Sequence, residues 1–230
     1  MIRLHFHPSP NPMKVALMLE ETGLPYEVVP VDTFRGEQHA AAFKALNPNA
    51  KVPVIETEGG VVFDSNAILL HLAETTGRFL PATGPDRGTA LSWLFFVATG
   101  LSPFSGQAVH FLHMAPEDIP YAKNRYLKEV ERHYRVMDDR LAASPWLAGA
   151  DYSIADMAAW GWLEFAGHVV GEAGLSTWPH LERMHAAISA RPAAARARAI
   201  KDGLTLKQDF DADAAKALFP QNVPAPGLVA

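Results

Sequence analysis

The pattern of apolar and polar positions changes character about a third of the way along the chain. Residues 2–6, IRLHF, alternate apolar with polar, as a half-buried strand does. Asn11-Pro12 then offers an N-cap followed by proline at the first helical position, which predicts a helix over residues 12–22. Val15, Met18 and Leu19 give that helix one apolar face, and Gly23 ends it. A Val-rich strand over residues 26–31 completes a β-α-β unit with parallel strands. A second unit follows: a helix over residues 38–46, strands over 52–57 and 61–63 around a Glu58-Gly59-Gly60 turn, and a helix opened by Asp64-Ser65 that ends near Gly77.

Residues 81–88, PATGPDRG, read as a linker, and the spacing beyond them is helical. Trp93, Leu94, Val97 and Leu101 follow the helical period, as do Tyr126, Val130, Tyr134, Met137 and Leu141 on a long segment over residues 120–143. Ser153 and Asp156 form a capping box at the start of a very apolar helix. The expected organisation is an α/β domain over residues 1–80, the linker, an all-helical domain over 89–205 and an extension over 206–230. The last stretch, 220–230, is proline-rich and is expected to wrap or fray.

Composition narrows the chemistry. The formal charge of the 230 residues is −5, so no basic excess points to nucleic acid. Residues 1–10 have no long apolar core and no run of about 18 apolar residues occurs, so neither a signal peptide nor a membrane span is expected and a cytoplasmic protein is the default. The chain has no cysteine. Disulfides, thiolate-held metals and a protein thiol nucleophile are excluded, and any sulfur chemistry must use a thiol carried by a ligand.

One loop fits such a ligand. Ser9-Pro10-Asn11 leaves a strand and enters a helix, where a hydroxyl, an amide and main-chain N–H groups meet the positive end of the helix dipole. A free thiol is only about 3% thiolate near pH 7; about two units of pKa depression raises that to about 75% and requires about 2.7 kcal/mol. A helix terminus contributes about 0.3 to 2 kcal/mol and a charge-assisted hydrogen bond about 1.5 to 3, so together they suffice. On the residues alone, Asn11 as a plain cap and Ser9 as a turn residue is the competing reading. His5 and His7 share one strand face and read as packing, and His110 and His113, spaced i, i+3, lack the partners of a metal site. The Trp93, Phe95, Phe96 and Phe104 group and the Trp160, Trp162 and Phe165 group read as core. Val52-Pro53 interrupts the strand ladder, either as a turn or as an edge open to an extended peptide.

The layout, β-α-β then β-β-α then helices, resembles the cytosolic glutathione transferases. The resemblance rests on Ser9-Pro10-Asn11, Lys51-Val52-Pro53, Asp64-Ser65, the Ser153–Asp156 box and the helix containing Arg125. HPSPNPMKVALMLEE, NPNAKVPVI, IPYAKNRY and SPWLAGADYSIADMAAW are similar to the bacterial nu class, glutathione-dependent disulfide-bond reductases. That class normally has threonine at the position of Ser9, so the chain keeps the hydroxyl and loses a methyl. The resemblance implies a thioredoxin-like N-terminal domain, glutathione as co-substrate, a homodimer, and a thiolate beside Ser9 and Asn11. It further implies a cis Pro53, Val52 pairing with the cysteinyl portion, Ser65 and Asp64 at the γ-glutamyl end, Lys51 and Gln38 at the glycyl end, and Arg125 reaching the site from the helical domain. Conjugation of glutathione to apolar electrophiles is the alternative reaction, and a non-catalytic binding module the alternative class.

Overall fold

The structure, a computed structural model, describes residues 1–222. It is built from β1 (Ile2–Phe6), α1 (Pro10–Thr22), β2 (Tyr26–Pro30), α2 (Ala41–Leu46), β3 (Val54–Thr57), β4 (Gly60–Phe63) and α3 (Ser65–Thr76), then helices only: α4 (Gly84–Phe96), α5 (Ser102–Val109), α6 (Pro120–Ala142), α7 (Ile154–Leu163), α8 (Ala166–Val170), α9 (Pro179–Ser189), α10 (Pro192–Ala199) and α11 (Ala212–Leu218). The sheet order is β2-β1-β3-β4. β1 runs parallel to β2 and antiparallel to β3, and β3 is antiparallel to β4. This is the expected thioredoxin-like domain followed by an all-helical one.

Several boundaries differ from expectation, among them that of β3, which begins at Val54 rather than at residue 52. α1 begins at Pro10, with Ser9 rather than Asn11 at the N-cap position, because prolines at 10 and 12 both suit a first turn whose N–H groups have no partner within the helix. α4 begins at Gly84, inside the stretch read as linker. The helix expected over residues 38–46 is split into a short turn at Glu37–His39 and α2. Of the proline-rich stretch at the end, Pro220–Asn222 forms one turn, and residues 223–230 lie outside those described.

One apolar core joins the two domains. α1 buries Val15, Leu17, Met18 and Leu19, and packs against α7, whose Ile154, Met157 and Trp160 are buried in the same core. The crossing is close: a Cβ on Gly161 of α7 would lie 2.5 Å from the Pro10 carbonyl oxygen, so only glycine lets α7 meet the start of α1. Arg191 pairs with Glu21 and Arg196 with Glu20, tying α1 to the last helices. The capping box forms as expected, with Asp156 Oδ2 accepting from the Ser153 N–H and hydroxyl, each at 2.9 Å. Asp156 Oδ1 also accepts from Leu147 N–H at 2.8 Å, and burial raises its carboxyl to about 6.

Candidate active site

Two pockets meet at Asn11, in the first turn of α1. The smaller, about 230 Å³, is walled by Asn11, Asn47, Asn49, Lys51, Val52, Pro53, Phe63, Asp64 and Ser65. The larger, about 360 Å³, is walled by residues 7–11, Thr33, Phe34, Gln38, Ala50–Val52, Gly106, Val109, Met114, Trp162, Phe165, His168, Leu218 and Phe219. Asn11, Lys51 and Val52 belong to both. The first is polar and lined by residues of the thioredoxin-like domain alone; the second is largely apolar and spans both domains.

At the start of α1, Pro10 and Pro12 have no N–H, so Asn11 supplies the single main-chain donor of residues 10–12. The helix end therefore offers few main-chain hydrogens, and side chains carry more of the task. Ser9 Oγ donates to the His7 carbonyl at 3.3 Å. The Ser65 hydroxyl donates to Asn11 Oδ1 at 3.5 Å, a long contact that turns the Asn11 amide nitrogen the other way.

The polar pocket is presented by two devices. Asn47 holds the loop before β3, donating to the Lys51 carbonyl at 2.7 Å and accepting from Asn49 N–H at 2.9 Å. The Val52-Pro53 peptide is cis, and the strand ladder begins at Val54, with the Val52 main chain beyond it at the pocket wall. Asp64 caps α3 with a positive φ of 70°, its Oδ1 accepting from Asn66 N–H at 2.9 Å and Ala67 N–H at 3.1 Å. Plain capping and a place in the pocket are thus both true of Asp64. Behind this wall lies Lys14, wholly buried on α1, whose ammonium donates to Asn66 Oδ1 at 3.4 Å. Burial lowers its pKa to about 7 against the opposing attraction of Asp64.

The remaining candidates are placed apart. Gln38 is buried in the wall of the apolar pocket, its amide donating to the Thr33 carbonyl at 3.3 Å and the Ala217 carbonyl at 3.0 Å. Arg125, on α6, lines neither pocket; it pairs with Glu129 at 3.3 Å and lies 5.9 Å from the Phe104 ring centre. His7, which its strand position assigns to packing, lines the apolar pocket, donating from Nδ1 to the Val31 carbonyl at 3.2 Å, with burial lowering its pKa. His5 packs against Phe43 and meets Glu56 at 2.8 Å. His113 donates to the His168 carbonyl at 2.8 Å while His110 meets Phe219, so the two do not converge.

The aromatic groups also need correction. Trp162 and Phe165 line the apolar pocket, whereas Trp160 is fully buried and bonds Ser189 at 3.1 Å. Residues two apart on a helix point about 200° apart, so Trp160 and Trp162 cannot serve the same side. Phe95 is 55% exposed rather than core.

Sequence patterns of known families complete this picture. The glutathione S-transferase N-terminal domain matches residues 8–75 and the glutathione S-transferase C-terminal domain matches residues 120–212. The chain belongs to the glutathione S-transferase superfamily. Among transferase-fold relatives, disulfide-bond oxidoreductase YfcG of Escherichia coli (strain K12) is 43% identical over 204 residues, spanning 86% of this chain and 94% of its own. Disulfide-bond oxidoreductase YghU of the same organism is 36% identical over 219 residues, spanning 86% and 74%. A glutathione transferase from Burkholderia graminis, solved with two glutathione molecules per subunit, superposes with a TM-score of 0.80 at 35% identity over 86% of this chain and 87% of that one. The matched regions include the whole polar pocket of this transferase-family chain, while Leu218 and Phe219 lie beyond residue 212. Among the described residues, no helix is long and apolar enough to cross a membrane.

Proposed function

We propose that this protein is a glutathione-dependent disulfide-bond reductase. The observation that carries the reading is the junction of a polar pocket and an apolar one at Asn11, with Ser9 beside it at a helix start. Glutathione fits the polar side. Its γ-glutamyl carboxylate takes the Ser65 hydroxyl and the start of α3, its ammonium takes the Asp64 carboxylate, its cysteinyl main chain takes Val52, and its glycyl carboxylate takes Lys51. Gln38, with its amide held by carbonyls, is left out of the glycyl end. The sulfur then lies at the junction, where the Asn11 amide and Ser9 hydroxyl stabilise the thiolate.

The chain contributes no thiol of its own, so both thiols come from glutathione. The first thiolate attacks one sulfur of the substrate disulfide, forming a mixed disulfide and expelling a substrate thiolate, which takes a proton from solvent. A second glutathione thiolate attacks the glutathione sulfur of the mixed disulfide, releasing oxidised glutathione and the second substrate thiol. YfcG and YghU, named as disulfide-bond oxidoreductases, support this choice, as does a relative holding two glutathiones per subunit. The apolar lining of the second pocket favours a second reading, conjugation to an apolar electrophile. Measuring kcat/KM on one preparation for hydroxyethyl disulfide, with glutathione recycled, and for chlorodinitrobenzene separates them. Faster disulfide turnover is expected; faster conjugation would overturn it.

Assembly belongs to the same proposal. A C2 homodimer would cover the exposed Phe63 of β4 and Phe95 of α4, and would bring Arg125, which lines neither pocket of its own chain, toward the partner's site. Sedimentation showing a fully active monomer would contradict it.

A further inference from the structure

One titratable group is sealed inside the fold behind the polar pocket, and the proposed reaction makes no use of it. Lys14 is 0% exposed, about one helical turn beyond Asn11 on α1. Its stem lies against α7, where a Cβ on Gly161 would come 3.1 Å from Lys14 Cβ, and its amine ends at the first turn of α3. There the amine donates to Asn66 Oδ1 at 3.4 Å, the one hydrogen bond found for it among the described residues. An ammonium has three hydrogens to place, and the start of a helix disfavours positive charge. Burial accordingly lowers the pKa of Lys14 to about 7, with Asp64 pulling the other way. Around α7 and α10, which also pack on α1, the charged groups are engaged elsewhere: Asp156 with Ser153 and Leu147, Arg191 with Glu21, Arg196 with Glu20, and Glu164 with His185 and Arg198. On α3 itself, His71 and Glu74 lie about two turns or more beyond Asp64.

We propose that Lys14 is a positioning residue for the γ-glutamyl end: from inside the fold its amine shares the Asp64 carboxylate with the γ-glutamyl ammonium, so that the charge on Lys14 sets how strongly the site selects a ligand bearing that ammonium. The inference rests on the proposed glutathione site and goes beyond it by naming the group behind the pocket wall that tunes it. Asp64 has two sides to offer. Its Oδ1 is turned inward to Asn66 N–H and Ala67 N–H, and Asn66 is the residue that meets Lys14, while the exposed Asp64 side chain stands in the wall of the polar pocket. A charged Lys14 and the ligand ammonium are then like charges on either side of one carboxylate, and each weakens the hold of the other. With Lys14 uncharged, the carboxylate belongs to the ligand alone. Protonation of Lys14 therefore lowers the preference for the ammonium, because deleting that one group from the ligand leaves every other charge in place.

The test measures binding of S-methylglutathione and of its deamino analogue, in which hydrogen replaces the γ-glutamyl ammonium, to the full-length protein between about pH 6 and pH 8, below the range in which the ligand ammonium itself titrates. The S-methyl group takes the thiol out of the titration, and the ratio of the two dissociation constants reads the ammonium alone. In wild type the preference for the ammonium-bearing ligand is expected to rise about fivefold across that interval, over which an amine of pKa about 7 passes from mostly charged to mostly uncharged. In Lys14→Met the ratio should be constant with pH and match the wild-type value at the alkaline end. Calorimetry in buffers of different ionisation enthalpy reads the same event in wild type without any variant: near neutral pH, S-methylglutathione should release more protons on binding than the deamino analogue does. A wild-type preference that is the same at every pH, with equal proton release by the two ligands, would overturn the role of Lys14 and leave the site standing. A slope that persists in Lys14→Met would overturn it too, by assigning the proton to another group. If wild type binds neither ligand, or binds both equally at every pH, the proposed glutathione site fails and the inference with it.

Discussion

The two pockets at the head of α1 are built by opposite strategies. Asn11 apart, the polar one draws its groups from two short stretches, Asn47 to Pro53 and Phe63 to Ser65, and displays main chain, capping side chains and helix starts. The apolar one gathers side chains from stretches far apart in the chain, around His7, Phe34, Val109, Trp162 and Phe219. A site that must recognise fixed charges uses groups whose directions are set by local backbone geometry. A site that must exclude water and accept varied shapes uses area, which tertiary packing assembles from anywhere. The polar side should therefore respond to single-atom changes in charge and hydrogen bonding, and the apolar side to changes in bulk.

The largest effect expected on the polar side is in stability. Lys14 is a wholly buried amine behind Asn66 and Asp64, and its pKa falls to about 7 on folding because burial outweighs the attraction of Asp64. An unfolded lysine keeps its proton to about pH 10.4. Between about pH 7 and pH 10 the unfolded chain then binds the extra proton, so the contribution of Lys14 to stability rises with pH, by up to about 1.4 kcal/mol per unit. Lys14→Met should remove that slope. Denaturant midpoints for both proteins at several pH values check it; parallel pH curves would show that the amine stays charged and that the polar side is less dry than its packing implies.

Catalysis should be most sensitive where the pockets meet. Asn11→Ala removes the side-chain amide where the two pockets meet, and one charge-assisted hydrogen bond is worth about 1.5 to 3 kcal/mol. A loss of about 10-fold or more in kcat/KM is expected for polar and apolar disulfides alike. A loss confined to one class of substrate would mean that Asn11 serves one pocket rather than the junction. Ser65→Ala sharpens the same division. Ser65 lines only the polar pocket, so KM for glutathione should rise several-fold, about 1 kcal/mol of hydrogen bonding, while kcat changes little.

The same contrast explains what could be read from the chain alone. Val52-Pro53 and Asp64-Ser65 announce themselves because a missing N–H and a helix cap are properties of neighbouring residues. The start of α1 misleads by two positions because Pro10 and Pro12 are equally compatible with a first turn. Trp162 lies on an apolar helix and Phe165 just beyond its end, but periodicity does not say whether they meet core or cleft; only the two-residue offset of Trp162 from Trp160 hints that the aromatics divide. Gln38 and Ala217 stand 179 positions apart, and no local pattern foretells that one clamps the other.

The smallest expected effect is at Ser9. Its hydroxyl has an alternative partner, the His7 carbonyl at 3.3 Å, so bonding a thiolate exchanges one hydrogen bond for a stronger one. The net gain is the difference, about 0.5 to 1 kcal/mol, rather than the whole of a charge-assisted bond. Ser9→Ala should raise the pKa of bound glutathione by about half a unit and slow turnover about threefold near pH 7. An ultraviolet titration of the thiolate in wild type and variant, beside the pH profile of kcat/KM, measures both quantities. The scarcity of main-chain donors sets the opposite outcome: with prolines at 10 and 12, the Asn11 N–H is the lone helical donor of residues 10–12. If Ser9→Ala abolished turnover as thoroughly as Asn11→Ala, the hydroxyl would be the principal donor to the sulfur. The junction would then belong to the loop rather than to the helix start.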